Sequence, residues 1–142
     1  MGRIIGEGVI NEFNVRDPIS GDTLTLYFRF PTTEERQGYM SAMFERDENK
    51  IRFRISEARQ EFGLKILSGI KKGSFSLIEN GSPMREISSD SSDPDYLENW
   101  KELVAKQGID IVEEMAAYIF EGHKVQSVQR VKGGEDFTPK NS

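Results

Sequence analysis

The stretch Leu24-Thr25-Leu26-Tyr27-Phe28-Arg29-Phe30-Pro31-Thr32-Thr33-Glu34-Glu35 decides the fold class, because two periodicities meet inside it. Leu24, Leu26, Phe28 and Phe30 share one side of a strand, and Thr23, Thr25, Tyr27 and Arg29 share the other. Pro31 brings no amide hydrogen to a ladder and ends the strand. Thr32 has the side chain of a helix cap, and Glu35, three residues on, completes a capping box. The chain thus passes from strand to helix within two residues, as a domain that combines both must do.

Before this join, Val9, Asn11, Phe13 and Val15 alternate with more polar positions. Asp17-Pro18-Ile19-Ser20-Gly21-Asp22 has turn chemistry: proline presets φ, Gly21 tolerates positive φ, and aspartates bond nearby amides. Residues 9–30 therefore read as a hairpin. A two-stranded ribbon is marginal alone, so its apolar face needs cover, and its outer edge is expected to be free to pair.

After the join, a first helix is expected over about 34–46, with Tyr39, Met40, Met43 and Phe44 as its apolar stripe. Asp47-Glu48-Asn49 breaks it. A second helix is expected over about 50–69, carrying Ile51, Ile55, Ala58, Phe62 and Ile66. Gly69 and Lys71-Lys72-Gly73 suit its end. Phe75 and Leu77 form a short extended segment, and Asn80-Gly81-Ser82-Pro83 a turn. Asp93 caps a third helix over about 94–106, with Pro94 in its first turn and Tyr96, Leu97, Trp100, Leu103 and Val104 buried. A fourth, about 110–121, buries Val112, Met115, Ala116, Ile119 and Phe120 and stops at Gly122. Beyond it only Val125, Val128 and Val131 are apolar before a polar end, and 133–142 is expected to be disordered. The fold class is α+β, a single small domain over 1–132 with an N-terminal β-hairpin packed on roughly four helices.

Composition narrows the function. The 142 residues suffice for one modest core. There is no cysteine, which excludes disulfides, thiol catalysis and cysteine-based metal sites. Nineteen bases against 24 acids disfavour a general binder of phosphate backbones, so nucleic acid is not the expected partner. No apolar run is long enough to span a bilayer, and Met1 to Glu7 lack a secretory apolar segment, so a cytoplasmic protein with no membrane partner is expected.

No reactive constellation emerges. His123, the one histidine, sits beyond a helix end without an evident partner for base catalysis or zinc. Asp90, Asp93 and Asp95 alternate like oxygen ligands. A calcium loop starting at Asp90 would need glycine at its sixth position and glutamate at its twelfth, where Asp95 and Lys101 stand. Glu113-Glu114 reads as a solvated face. No glycine loop has a phosphate-cradling pattern. No catalytic residue, metal or cofactor is expected.

The charges are unevenly spread. Residues 50–72 hold seven bases against two acids, and residues 79–114 ten acids against three bases. Such halves complement each other within a fold, join copies head to tail, or steer a charged partner. Arg52, Arg54 and Arg59 in the basic segment are interface candidates on this ground. Tyr27 and Arg29 are candidates because Tyr and Arg are enriched at contact hot spots. Met40 and Met43, with Met115, would suit a plastic groove for a partner helix.

The order of these features, a hairpin carrying Asp17-Pro18 and Gly21-Asp22, then Leu24 to Arg29, Pro31-Thr32-Thr33-Glu34-Glu35-Arg36, Tyr39 and a helical remainder with Trp100, resembles small proteins of bacteriophage and prophage tail modules, especially tail assembly chaperones. The likeness covers roughly residues 9–121. It implies binding without catalysis: such chaperones keep the tape-measure protein soluble until the tail tube polymerises around it, tend to self-associate, and are usually absent from the finished virion. A structural tail component and a small carboxylate-based hydrolase or ligand-binding domain are the alternatives.

Overall fold

A computed structural model describes residues 2–6, 8–122, 129–131 and 136–137. In chain order the elements are β1 (Asn11–Arg16), β2 (Thr23–Phe28), α1 (Thr33–Ala42), β3 (Phe44–Asp47), β4 (Lys50–Phe53), α2 (Ile55–Ile66), β5 (Leu67–Ile70), β6 (Ser76–Leu77), β7 (Arg85–Glu86), α3 (Trp100–Gln107), α4 (Ile109–Glu121), β8 (Gln129–Val131) and β9 (Asp136–Phe137). The fold is α+β, with a hairpin-containing sheet and four helices among the described residues.

β1 and β2 form the expected hairpin, in register from Asn11↔Phe28 to Arg16↔Thr23. The Asp17 carboxylate holds its turn by accepting from the amides of Ile19 and Ser20, both at 3.2 Å, and Gly21 takes a φ of 81°. Phe13, Val15, Leu24, Leu26 and Phe28 are buried, so the alternation locates the inner face. The hairpin edges, however, are both occupied. The sheet order is β5-β2-β1-β8-β9, antiparallel throughout. Pairing covers Asn11–Phe13 of β1 and Leu26–Phe28 of β2, so the free hairpin edge expected from the sequence is taken up along half of each strand.

The bounds of three helices also depart from the sequence reading. The second helix starts at Ile55, not near Lys50, and ends at Ile66; Leu67 goes straight into a strand beside β2. Gly69 is thus a strand residue instead of a helix cap. A Cβ there would come within 3.2 Å of the Tyr27 ring, so glycine admits that ring. The first helix ends at Ala42, and 44–53 form a second hairpin. The third helix starts at Trp100 and not at Pro94. Asp93 closes a local turn, accepting from the Asp95 amide at 2.8 Å, where a helix cap was expected. The fourth helix keeps its expected extent, and Gly122 ends it in the left-handed region at φ 69°. His123, Val125 and Val128 lie outside the described residues. So does the expected tail, 133–142, apart from β9.

The Thr32–Glu35 capping box is present. The Glu35 amide donates to Thr32 Oγ1 at 3.1 Å, and the Thr32 amide to Glu35 Oε1 at 2.9 Å. Arg29 adds a bidentate ion pair to the same carboxylate, 2.7 Å at each oxygen. The Arg29 guanidinium foremost, then the Thr32 amide, acting against burial, bring the Glu35 carboxyl from its usual 4.5 to about 2. The folded pKa lies below the unfolded one. The associated stability is therefore complete above about pH 4.5 and is lost as pH falls toward 2. Glu35→Gln keeps a capping-box side chain but removes the titration. Urea midpoints measured from about pH 6 down to pH 2 should fall less steeply in this variant than in the wild type. Parallel curves would show that the pair contributes nothing to acid sensitivity.

The main core lies between the inner face of the sheet and the helices, where Ile66, Val104, Ile111, Val112 and Met115 meet Phe13, Leu26 and Phe28. α2 and α4 approach closely at Gly63. A Cβ there would lie 2.7 Å from Val112 Cγ1 and 3.2 Å from the Val112 carbonyl oxygen. Gly63→Ala would gain about 1 kcal/mol of helix propensity. Overpacking against fully buried Val112 costs about 1–3 kcal/mol and should win. Chemical denaturation should show a less stable protein; a stabilised variant would refute the tight crossing.

Candidate protein-binding surface

The second hairpin, β3–β4, is an arm. Every residue of both strands is exposed, and Arg54, just after it, closes its root by donating from its amide to the Met43 carbonyl at 2.8 Å. Glu48 turns the loop with a left-handed φ of 54°. Cross-strand register places Phe44 opposite Phe53 and Arg46 opposite Ile51 on one face, with Glu45 opposite Arg52 and Asp47 opposite Lys50 on the other. The arm is therefore amphipathic. Phe44 is 47% exposed, Ile51 58% and Phe53 66%. The two phenyl rings meet edge to face, their centroids 5.5 Å apart.

Met40, 56% exposed, adds a further apolar side chain near the end of α1. Met43, at the root, is half-buried against a second cluster of Tyr39, Ala58 and Phe62. Tyr39 also stacks on Phe120 at 4.5 Å and donates its hydroxyl to the Glu121 carboxylate. This anchoring matters because a two-stranded ribbon is marginal by itself. The root of the arm is fixed to the folded body, while its apolar face has no cover among the described residues.

Of the seven residues singled out from the sequence, Met40, Met43, Arg52 and Arg54 are gathered at the arm and its root. Arg54 is drawn toward Glu45 at 3.3 Å and Glu57 at 3.6 Å. Arg59 grips Glu121 through two hydrogen bonds, 2.7 and 2.8 Å long, and joins α2 to α4. Arg29 joins β2 to the start of α1 through Glu35 and also reaches the Lys65 carbonyl at 3.2 Å. Tyr27 is half-buried on the outer sheet face, where burial, then the charge of Glu12, push its hydroxyl pKa up. The aromatic residues of the arm, Phe44 and Phe53, were not singled out from the sequence. The signal available was their alternation with Arg46 and Ile51 around the polar tip Asp47-Glu48-Asn49.

Two other surfaces are concave. A cleft of about 210 Å³ lies between β6 and α3, lined by Phe75, Leu77, Ile87, Leu103 and Gln107 among others. An open depression of about 450 Å³ on the outer sheet face is polar, but its groups serve the fold. The Thr25 amide donates to Ser74 Oγ at 2.9 Å, and the Lys72 ammonium contacts Asp93 at 3.2 Å and Asp95 at 2.8 Å. Among the described residues, no three His, Asp or Glu side chains cluster as a metal site. Among the described residues, no helix is long and apolar enough to cross a membrane.

The apolar face of the arm can do one thing well, which is to bury itself. Two part-exposed phenylalanines, Ile51 and Met40 offer on the order of 400 Å². At about 25 cal/mol per Å² this gives roughly 10 kcal/mol before losses. Association itself costs about 4–15 kcal/mol. A partner must therefore contact the arm and its surroundings together. No family model, curated protein or solved structure matches the chain.

Proposed function

We propose that the chain is a non-enzymatic protein-binding factor of bacteriophage or prophage tail assembly that holds a tape-measure protein through its arm. The observation that carries the binding role is the uncovered face of Phe44, Ile51 and Phe53 on a ribbon rooted in the core. Large exposed apolar faces on a folded body mark interaction sites. Arg46 on the same face adds a donor of the kind that specifies a partner. The sequence resemblance supplies the tail context and the identity of the client. A long helical client offers repeated apolar stripes for such a face, as in helix recognition elsewhere.

The test is co-expression with the tape-measure protein of the same tail module. The wild-type chain should keep that protein soluble, co-purify with it, and be missing from finished particles. Retention in particles at fixed copy number would make it a structural tail component instead. Failure to bind the tape-measure protein would end the reading.

A further inference from the structure

The apolar face of the arm is exposed, and a cleft lies open at α3. No arm residue lines that cleft, which is formed by Phe75, Ser76, Leu77, Ile87, Leu103, Val104, Gln107 and Gly108. Its volume of about 210 Å³ exceeds the ~150 Å³ of an apolar cavity that accepts benzene, so one phenyl ring fits. Ile78, 71% exposed, and Met84, 66% exposed, belong to the loop joining the two strands beside it. Charge runs the same way. Arg46 lies within the arm's apolar face, and Arg46, Lys50 and Arg52 make no ion pair among the described residues. Beside the cleft, Glu79 follows Ile78 and Glu86 precedes Ile87, both likewise without an ion pair there; the nearby bases are Arg85 and, on α3, Lys106, which pairs with Glu102 at 3.4 Å.

We propose that the arm of one copy seats in the α3 cleft of a second copy, Phe53 entering the cleft and Arg46 facing Glu79 and Glu86. This rests on the arm being a protein-binding surface, as proposed above, and adds how that surface is covered when no client is bound. The two halves of the contact lie on different elements, so the contact is heterologous and continues from copy to copy until a ring closes or a client displaces it. A client that covers the whole arm would compete it away.

The experiment is sedimentation of the purified full-length chain with two variants. Phe53→Ser removes the plug. Gln107→Trp fills the cleft from an exposed position on α3 without deleting a core side chain, and Ser76→Trp does so from β6. The wild type should show concentration-dependent assembly, and each variant should weaken it by about tenfold or more. The decisive result is the mixture. Gln107→Trp keeps its arm and Phe53→Ser keeps its cleft, so together they should form a one-to-one dimer and stop there. A monomeric wild type at high concentration, undiminished assembly of Phe53→Ser, or no dimer in the mixture would overturn the proposal. Gln107→Trp should still bind the tape-measure protein. Loss of client binding with self-assembly intact would count against the client and leave the contact between copies standing.

Discussion

Truncating Phe28 to alanine is expected to remove about 3–5 kcal/mol of stability. Phe28 is fully buried at the end of β2, flanked through the register by Asn11 on β1 and Leu67 on β5. Its ring meets Phe30 edge to face at 5.8 Å. Removing it leaves a cavity between three strands and the helices, and the paired strands on either side cannot collapse into it. A small domain has only about 5–15 kcal/mol in total, so the variant should melt far below the wild type or fail to fold. Tyr27→Ala should cost less, about 1–2 kcal/mol, because that ring is half-buried on the outer face and a deletion there opens to water. Denaturant midpoints of the two variants give the comparison. Equal losses would show that both faces of β2 are covered to the same degree.

The parts of the fold legible in the sequence are those where one signal had no competitor. Pro31, Thr32 and Glu35 each do locally what their chemistry allows, and the cap forms as expected. β1 and β2 were legible because alternation and turn residues agree. β5 was hidden because Leu67-Ser68-Gly69-Ile70 follows α2 without a break, Gly69 has the chemistry of a helix cap, and four residues cannot distinguish a strand from a last helical turn. The arm was hidden for a related reason. Met40, Met43, Phe44, Ile51 and Ile55 fall near helical spacing, so the Phe44/Phe53 pairing was absorbed into two helix stripes. What decides the arm is tertiary: α1 stops where Met43 enters the second cluster, and the chain beyond it must leave the body and return to start α2. Arg52 and Arg54 were named for their charge, and both lie on the arm or at its root, but charge says nothing of the arm's apolar half. Arg59 was named on the same ground and Arg29 as a residue type enriched at contact hot spots, but each has a carboxylate within 2.8 Å that employs it in the fold.

The double variant Phe44→Ser/Phe53→Ser should reduce binding of the tape-measure protein by about 100-fold or more while leaving the fold standing. Buried aromatic anchors at an interface commonly cost about 2 kcal/mol or more each on truncation, and two such losses are rarely fully additive. The same two residues contribute little to the free monomer. Both are exposed, their contact is with each other, and an aromatic pair of this kind is worth about 0.5–1.5 kcal/mol. The root survives in the variant, because the Arg54 amide to Met43 carbonyl bond and the packing of Met43 involve neither ring. Thermal melts should therefore shift little, in contrast to Phe28→Ala, while pull-down of the co-expressed client should fail. Arg46→Glu gives an independent reading of the same face: it keeps both rings and reverses the charge between them and the tip. If the double variant binds the client as the wild type does, the arm is not the binding surface; if it unfolds, the arm is part of the core after all.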